Sequence, residues 1–218
     1  MNQPLVEIID VTENPKYERF LYRCIFHVKK SLARSVIFKN YEYRHKYLKS
    51  AIPRGFHKKV LFYRGNHVGM IEYAPAQASG LPIKGKNIIV MNCIWVHRSG
   101  AGNHFGKRLM IHMMEENKEA NGFATLGCGK TFYSAFIRKD DMEKIGFKSV
   151  KSIRVKHKGI RKAKPFTIHL MWLPITKNAK PPSWDESKLL EGLFFCEGHP
   201  LHHERHGVRL LKHILEKC

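Results

Sequence analysis

The 218-residue sequence contains no apolar run approaching the ~18 residues that read as a membrane-spanning helix. Its start, MNQPLVEIID, lacks the charged-then-apolar build of a secretory signal. An intracellular, cytoplasmic protein is therefore expected. The five cysteines (Cys24, Cys93, Cys128, Cys196, Cys218) have no disulfide-framework spacing and are expected to be reduced thiols. Acidic residues are scarce, 18 against 39 Lys and Arg, which leaves a formal charge of +21. None occurs between Glu143 and Asp185, where Lys148, Lys151, Arg154, Lys156 and others accumulate. Such a potential repels polyamines and basic peptide tails and favours a partner that is small or attached to a polyanion such as RNA.

Two nucleotide-binding motifs are also missing. A Walker loop would need GxxxxGK followed by Ser or Thr, but the residue after Gly106-Lys107 is Arg108. A dinucleotide fingerprint would need GxGxxG, whereas Gly100, Gly102 and Gly106 are spaced GxGxxxG. What is present is an apolar, β-branched run from Ile88 to Val96, then a glycine-bearing turn, then Phe105, Leu109, Met110, Met113 and Met114 at helical spacing. This reads as strand, turn, helix. A helix starting near Asn103 would aim its free N–H groups and dipole into a turn that glycines leave open, which is a site for an anion such as phosphate.

The stretch resembles the cofactor-binding motif of the GCN5-related N-acetyltransferases (GNAT), a strand followed by Arg/Gln-x-x-Gly-x-Gly/Ala and a helix. Ala101-Gly102-Asn103-His104-Phe105-Gly106 falls on that loop, with Ala101 in place of Arg/Gln and His104 in place of the middle glycine. The resemblance implies acetyl-CoA as cofactor. It places the pyrophosphate on Ala101, Gly102, Asn103, His104, Phe105, Gly106 and Lys107, and the pantetheine arm and thioester along Cys93, Ile94, Trp95 and Val96. MEKIGFK, from Met142, resembles the family's YEKxGF motif, with methionine where a proton-donating tyrosine often stands.

The order of elements fits this resemblance across about residues 5 to 174. The expected elements are a strand at Leu5–Val11, a helix after Asn14-Pro15, and a helix over about Tyr41–Ala51 stopped by Pro53. Strands at His57–Tyr63 and His67–Tyr73 follow, joined at Arg64-Gly65-Asn66. After the central helix, Asn121-Gly122 reads as its stop, followed by strand Phe123–Cys128, helix Lys139–Ile145, and strands Ser149–Val155 and Phe166–Trp172. The expected fold is α/β: a GNAT-like mixed, mostly antiparallel central sheet flanked by helices. Residues 1–176 form that domain, and 177–218 a C-terminal extension with Trp184 pinned to it, a short strand at Leu189–Cys196 and an amphipathic helix from Pro200 through Leu215.

For the chemistry, Glu72 is the first candidate base, on a strand whose alternation sets Met70 and Glu72 opposite Gly69, Ile71 and Tyr73. His97, at the strand end, is the second, since an imidazole suits proton transfer near neutral pH. Tyr133 is the nearest tyrosine that could act as acid in place of Met142. Cys128 could be a nucleophile but more often such a cysteine only packs. In the tail, Cys196, His199, His203 and His206 match no common zinc spacing, so no metal is assigned. Cys-Glu-Gly-His-Pro between strand and helix is faintly similar to the opening of a thioredoxin-like domain. The resemblance implies an amine acceptor and direct attack on the thioester. The alternative is a nucleic-acid-binding protein whose acetyltransferase-like fold is inactive.

Overall fold

Strand formation begins locally, at the tightest turn. Arg64 and Gly65 both take positive φ, 50° and 74°, a backbone hand that matches strand twist. They join β2 (His57–Tyr63) to β3 (Asn66–Pro75), with Tyr63 opposite Asn66. The computed structural model describes residues 5–22, 44–129, 137–158, 164–191 and 215–218. The other elements are β1 (Val6–Asp10), α1 (Glu18–Leu21), a helix α2 over residues 44–51, β4 (Ile83–Lys84), β5 (Ile88–Val96), α3 (Phe105–Glu116) and β6 (Gly122–Cys128). They continue as α4 (Lys139–Glu143), β7 (Lys148–His157), β8 (Phe166–Pro174), β9 (Ser183–Trp184), α5 (Glu186–Glu191) and β10 (Leu215–Lys217).

Eight strands form one sheet in the order β1-β2-β3-β5-β6-β8-β7-β10, while β4 and β9 pair separately. Every pairing is antiparallel except β5 with β6. Alternation along the strands sends apolar side chains to both faces. On one face Ile71, Tyr73 and Met91 pack against Phe105, Leu109 and Met113 of α3 and Met142 of α4. On the other, Val60, Met70 and Ala74 pack against Phe20 and Leu21 of α1 and Leu48 of α2, while Val90, Leu126 and Leu170 meet Trp184, Leu189 and Leu215. Helices thus cover both faces.

Three expectations are corrected. Asn121-Gly122 does not stop the central helix: α3 ends at Glu116, where the Asn117 side chain donates to the Met113 carbonyl at 2.8 Å, and Gly122 opens β6. Residues Leu189–Glu191 are helical, because Glu186–Glu191 forms α5 with the Asp185 carboxylate accepting from the Lys188 N–H at 3.3 Å. Leu215 lies in β10, opposite His157 of β7, and not on a helix. The remainder of the expected tail strand and helix, with Cys196, His199, His203, His206 and the thioredoxin-like resemblance, lies outside the described residues. Trp184 is pinned as expected, 6% exposed in the core.

The C-terminal end of α3 is fastened to three strands by charge. Glu116 accepts from Lys59 Nζ at 2.7 Å and from the Tyr73 hydroxyl. Lys59 also reaches Asp10 Oδ2 at 2.9 Å, His57 Nδ1 meets the same oxygen at 2.7 Å, and Thr12 Oγ1 donates to Oδ1 at 2.5 Å. Burial alone would raise the Asp10 pKa, but hydrogen bonds from His57, Thr12 and Lys59 outweigh it and hold the carboxyl well below its usual range. Glu116 is lowered in the same way, burial being outweighed by Lys59 and Tyr73. Carboxyls depressed in the folded state contribute stability that is complete above their unfolded pKa, about 4, and lost as pH falls through the folded value. Stability should therefore hold from neutral pH to about pH 5 and fall below about pH 4, with Asp10→Asn flattening the dependence. Urea midpoints across that range check this; an equally steep fall in the variant would contradict it.

Candidate functional site

The site is built around a parting of two strands. β5 and β6 pair at Ile88, Ile89 and Val90 with Gly122, Phe123 and Ala124, and no further. A bulge at Asn92 turns β5 away: Tyr73 of β3 faces Met91, and the next residue back, Glu72, faces Cys93. The Thr125 hydroxyl makes a tie at the fork, donating to the Met91 carbonyl at 2.8 Å. Buried Asn92 fixes the bulge by donating to the Ser79 carbonyl, to which Tyr47 Oη also donates at 2.9 Å. Beyond the fork Cys93, Ile94, Trp95 and Val96 are half-buried, and among the described residues no strand pairs with the β5 edge turned toward β6. Such an edge offers backbone N–H and C=O groups to an extended ligand.

At the end of that edge lies the glycine-bearing turn. His97 caps a short 3-10 turn, Arg98–Gly100, its Nδ1 accepting from the Ser99 N–H at 3.2 Å. Ala101, Gly102, Asn103 and His104 are exposed, with Gly102 at φ 80° and His104 at φ 54°. His104 cannot be helical in that conformation, so α3 starts at Phe105 and not near Asn103. No side chain caps α3, and no acid stands in its first turn; Lys107 and Arg108 are there instead. Cations at a helix N-terminus oppose the dipole by about 0.3–1 kcal/mol each, and among the described residues neither has an acidic partner. The charge pattern fits an anion received from outside. Space for one exists: a Cβ on Gly102 would meet nothing within 4 Å, and one on Gly106 only Val96 Cγ2 at 3.9 Å. The residues present therefore suit a pyrophosphate.

Glu72 faces the α1 and α2 side, as its alternation with Ile71 and Tyr73 requires. It is 2% exposed, and its Oε1 is held by Arg44 Nη2 at 2.7 Å and Lys58 Nζ at 2.8 Å. Burial would raise its pKa, but the Arg44 and then the Lys58 charge outweigh that and lower it. Its Oε2 is buried and receives no hydrogen bond. His97 keeps Nε2 for other partners while Nδ1 serves the turn, and Tyr133 lies outside the described residues. Met142 packs in the core, and burial pushes the Cys128 thiol well up, which disfavours the thiolate that a nucleophile needs.

The turn and the free β5 edge thus form one continuous surface, with Glu72 behind the edge opposite Cys93. Arg44, Tyr47 and Asn92 were missed in the sequence. Asn92 alone left a signal, a single amide inside an apolar strand; Arg44 and Glu72 meet only through the fold.

No protein-family model and no curated protein matches the sequence. Solved structures do resemble the fold. A GNAT-family protein from Desulfovibrio desulfuricans has a TM-score of 0.55 at 14% identity, covering 78% of this chain and 99% of its own. An N-acetyltransferase from Staphylococcus aureus has 0.51 at 12%, also covering 78% and 99%. A GNAT-family acetyltransferase from Brucella melitensis, solved with acetyl-CoA, has 0.48 at 15%, covering 83% and 96%. With its forked sheet and its glycine turn before the central helix, the chain has the fold of the GNAT acetyltransferases.

Proposed function

We propose that the chain is an acetyl-CoA-dependent N-acetyltransferase acting on an amine acceptor. The observation that carries this reading is the alignment of a β5 edge that parts from β6 after Val90 with an uncapped, cation-bearing helix start. N–H groups over Gly102–Lys107 would hold the pyrophosphate, and the backbone of Cys93–Val96 the pantetheine arm. When bound, acetyl-CoA supplies an acyl thioester. The residues must then hold it still, accept a proton from the attacking amine and stabilise developing negative charge.

In this reading β5 N–H groups provide the last function and Glu72 the second. Glu72 is a weak base, because two cations hold it ionised; its Oε2 receives no hydrogen bond but is buried, so a proton would reach it only once that side of the sheet opens to the acceptor or a water. His97 Nε2 is the second acceptor, and Tyr133 keeps the role of acid. The row Lys148, Lys151 and Arg154 on β7 is exposed, which supports an acceptor that is small or attached to RNA over a polycationic one.

Calorimetric titration with acetyl-CoA tests the proposal. The wild type should bind at micromolar Kd, and Gly106→Glu should weaken binding by about 100-fold or more. The variant should fold, since the position is open. No binding by the wild type would remove the proposal and leave the reading as an inactive, nucleic-acid-binding fold.

A further inference from the structure

A cavity of about 570 Å³ opens at the other end of β5 from the glycine turn, beside Ile88 and Gly122. That size lies within the range of about 300–1,000 Å³ common for small-ligand sites. Its lining contains Lys84, Lys86 and Lys180, together with Thr176, Asn178 and Ser183, and no carboxylate. Lys84 pairs with Asp185 Oδ2 at 3.0 Å, outside the lining. Among the described residues Lys86 and Lys180 have no ion-pair partner, and Thr176, Asn178 and Ser183 have no side-chain hydrogen bond. The walls are fixed nonetheless. Lys84 pairs with Ser183 across β4 and β9, the Asn121 amide donates to the Lys86 carbonyl at 2.9 Å, and the Ile175 N–H donates to the Asn121 carbonyl at 3.0 Å.

We infer that this cavity is a second anion site, for a small diphosphate-bearing ligand. Its walls are joined to one another before any ligand arrives, so little ordering is needed on binding. Its charged groups are all cationic, and its neutral side chains can donate the hydrogen bonds that phosphate oxygens accept. A diphosphate offers one phosphate group to each of Lys86 and Lys180, the two lining lysines without an ion-pair partner among the described residues.

The test uses inorganic pyrophosphate and the full chain carrying Gly106→Glu, so that the glycine turn does not compete. Calorimetry at low salt should show one site, with affinity falling as salt rises. Adding Lys86→Glu and Lys180→Glu should weaken it by about tenfold or more, while the same pair of changes in the wild-type background leaves acetyl-CoA binding as it was. ADP competing for the site would identify a nucleotide as the source of the diphosphate. Absence of pyrophosphate binding in the Gly106→Glu chain, or equal affinity with and without the two lysines, would overturn the inference. Because the readout is pyrophosphate in a chain disabled at the turn, a failure here is separable from a failure of the acetyltransferase reading.

Discussion

Replacing Glu72 with glutamine is expected to lower the unfolding free energy by about 3–5 kcal/mol, a large part of an ordinary domain's stability. The amide keeps the shape of the carboxylate, so no cavity forms. What changes is charge. Arg44 and Lys58, 6% and 1% exposed, would lose the carboxylate they share, while both still donate to the Leu21 carbonyl at 3.4 and 3.5 Å. Removing one partner of a buried pair leaves the desolvation cost of the other uncompensated. Here the loss falls where α1, α2, β2 and β3 meet, so it should appear in the urea midpoint. Lys58→Met in the same background should restore part of the stability, since it removes one of the two buried cations that Glu72 holds. At acid pH the wild type should approach the variant, because Glu72, depressed in the fold, gives up its contribution only as pH falls through its folded pKa. A loss below about 1 kcal/mol would mean that solvent reaches the triad and that Glu72 is less enclosed than its exposure indicates.

The second large effect is expected from Gly122→Ala. A Cβ there would lie 2.4 Å from Trp172 Cη2 and 2.5 Å from the Leu173 carbonyl oxygen. The carbonyl belongs to β8, which pairs with β6 over the whole of Gly122–Cys128, and has nowhere to go. One methyl group should therefore cost about 3 kcal/mol or more, the upper end for overpacking. Gly106→Ala is the control. Its Cβ meets only Val96 at 3.9 Å, and the helical position favours alanine by up to about 1 kcal/mol, so that variant should be at least as stable as the wild type. Thermal unfolding of the two side by side checks the pair, and equal melting temperatures would show that β6 and β8 can separate at their start.

The strand-turn-helix unit was legible because its determinants are local. Ile88–Val96 is apolar but for Asn92 and rich in β-branched residues, and the methionines of α3 recur at helical spacing. The hairpin at Arg64-Gly65 was legible for the same reason. Errors came where a distant contact decides. Gly122 looks like a helix stop next to asparagine, but what demands a glycine there is Trp172, fifty residues on. β9, α5 and β10 take their form from pairing with β4, from the Asp185 cap and from β7, none of which a local pattern shows. At the site, the turn could be read from its glycines and the following helix, whereas the state of Glu72 could not. Its partners are supplied by a helix 28 residues upstream and by the neighbouring strand, and they change it from an ordinary surface-strand glutamate into a buried, fixed anion.

The parallel seam of three residue pairs has a mechanical consequence. The sheet is two antiparallel plates, β1-β2-β3-β5 and β6-β8-β7-β10, sharing one short joint. Any change in the width of the fork turns about Ile88–Val90 and Gly122–Ala124, because among the described residues the only further hydrogen bond between β5 and β6 is the Thr125 tie to the Met91 carbonyl. A crowded Trp172 against Gly122 therefore sits on the pivot itself, and the stiffness of that one corner sets how far the two plates can swing apart.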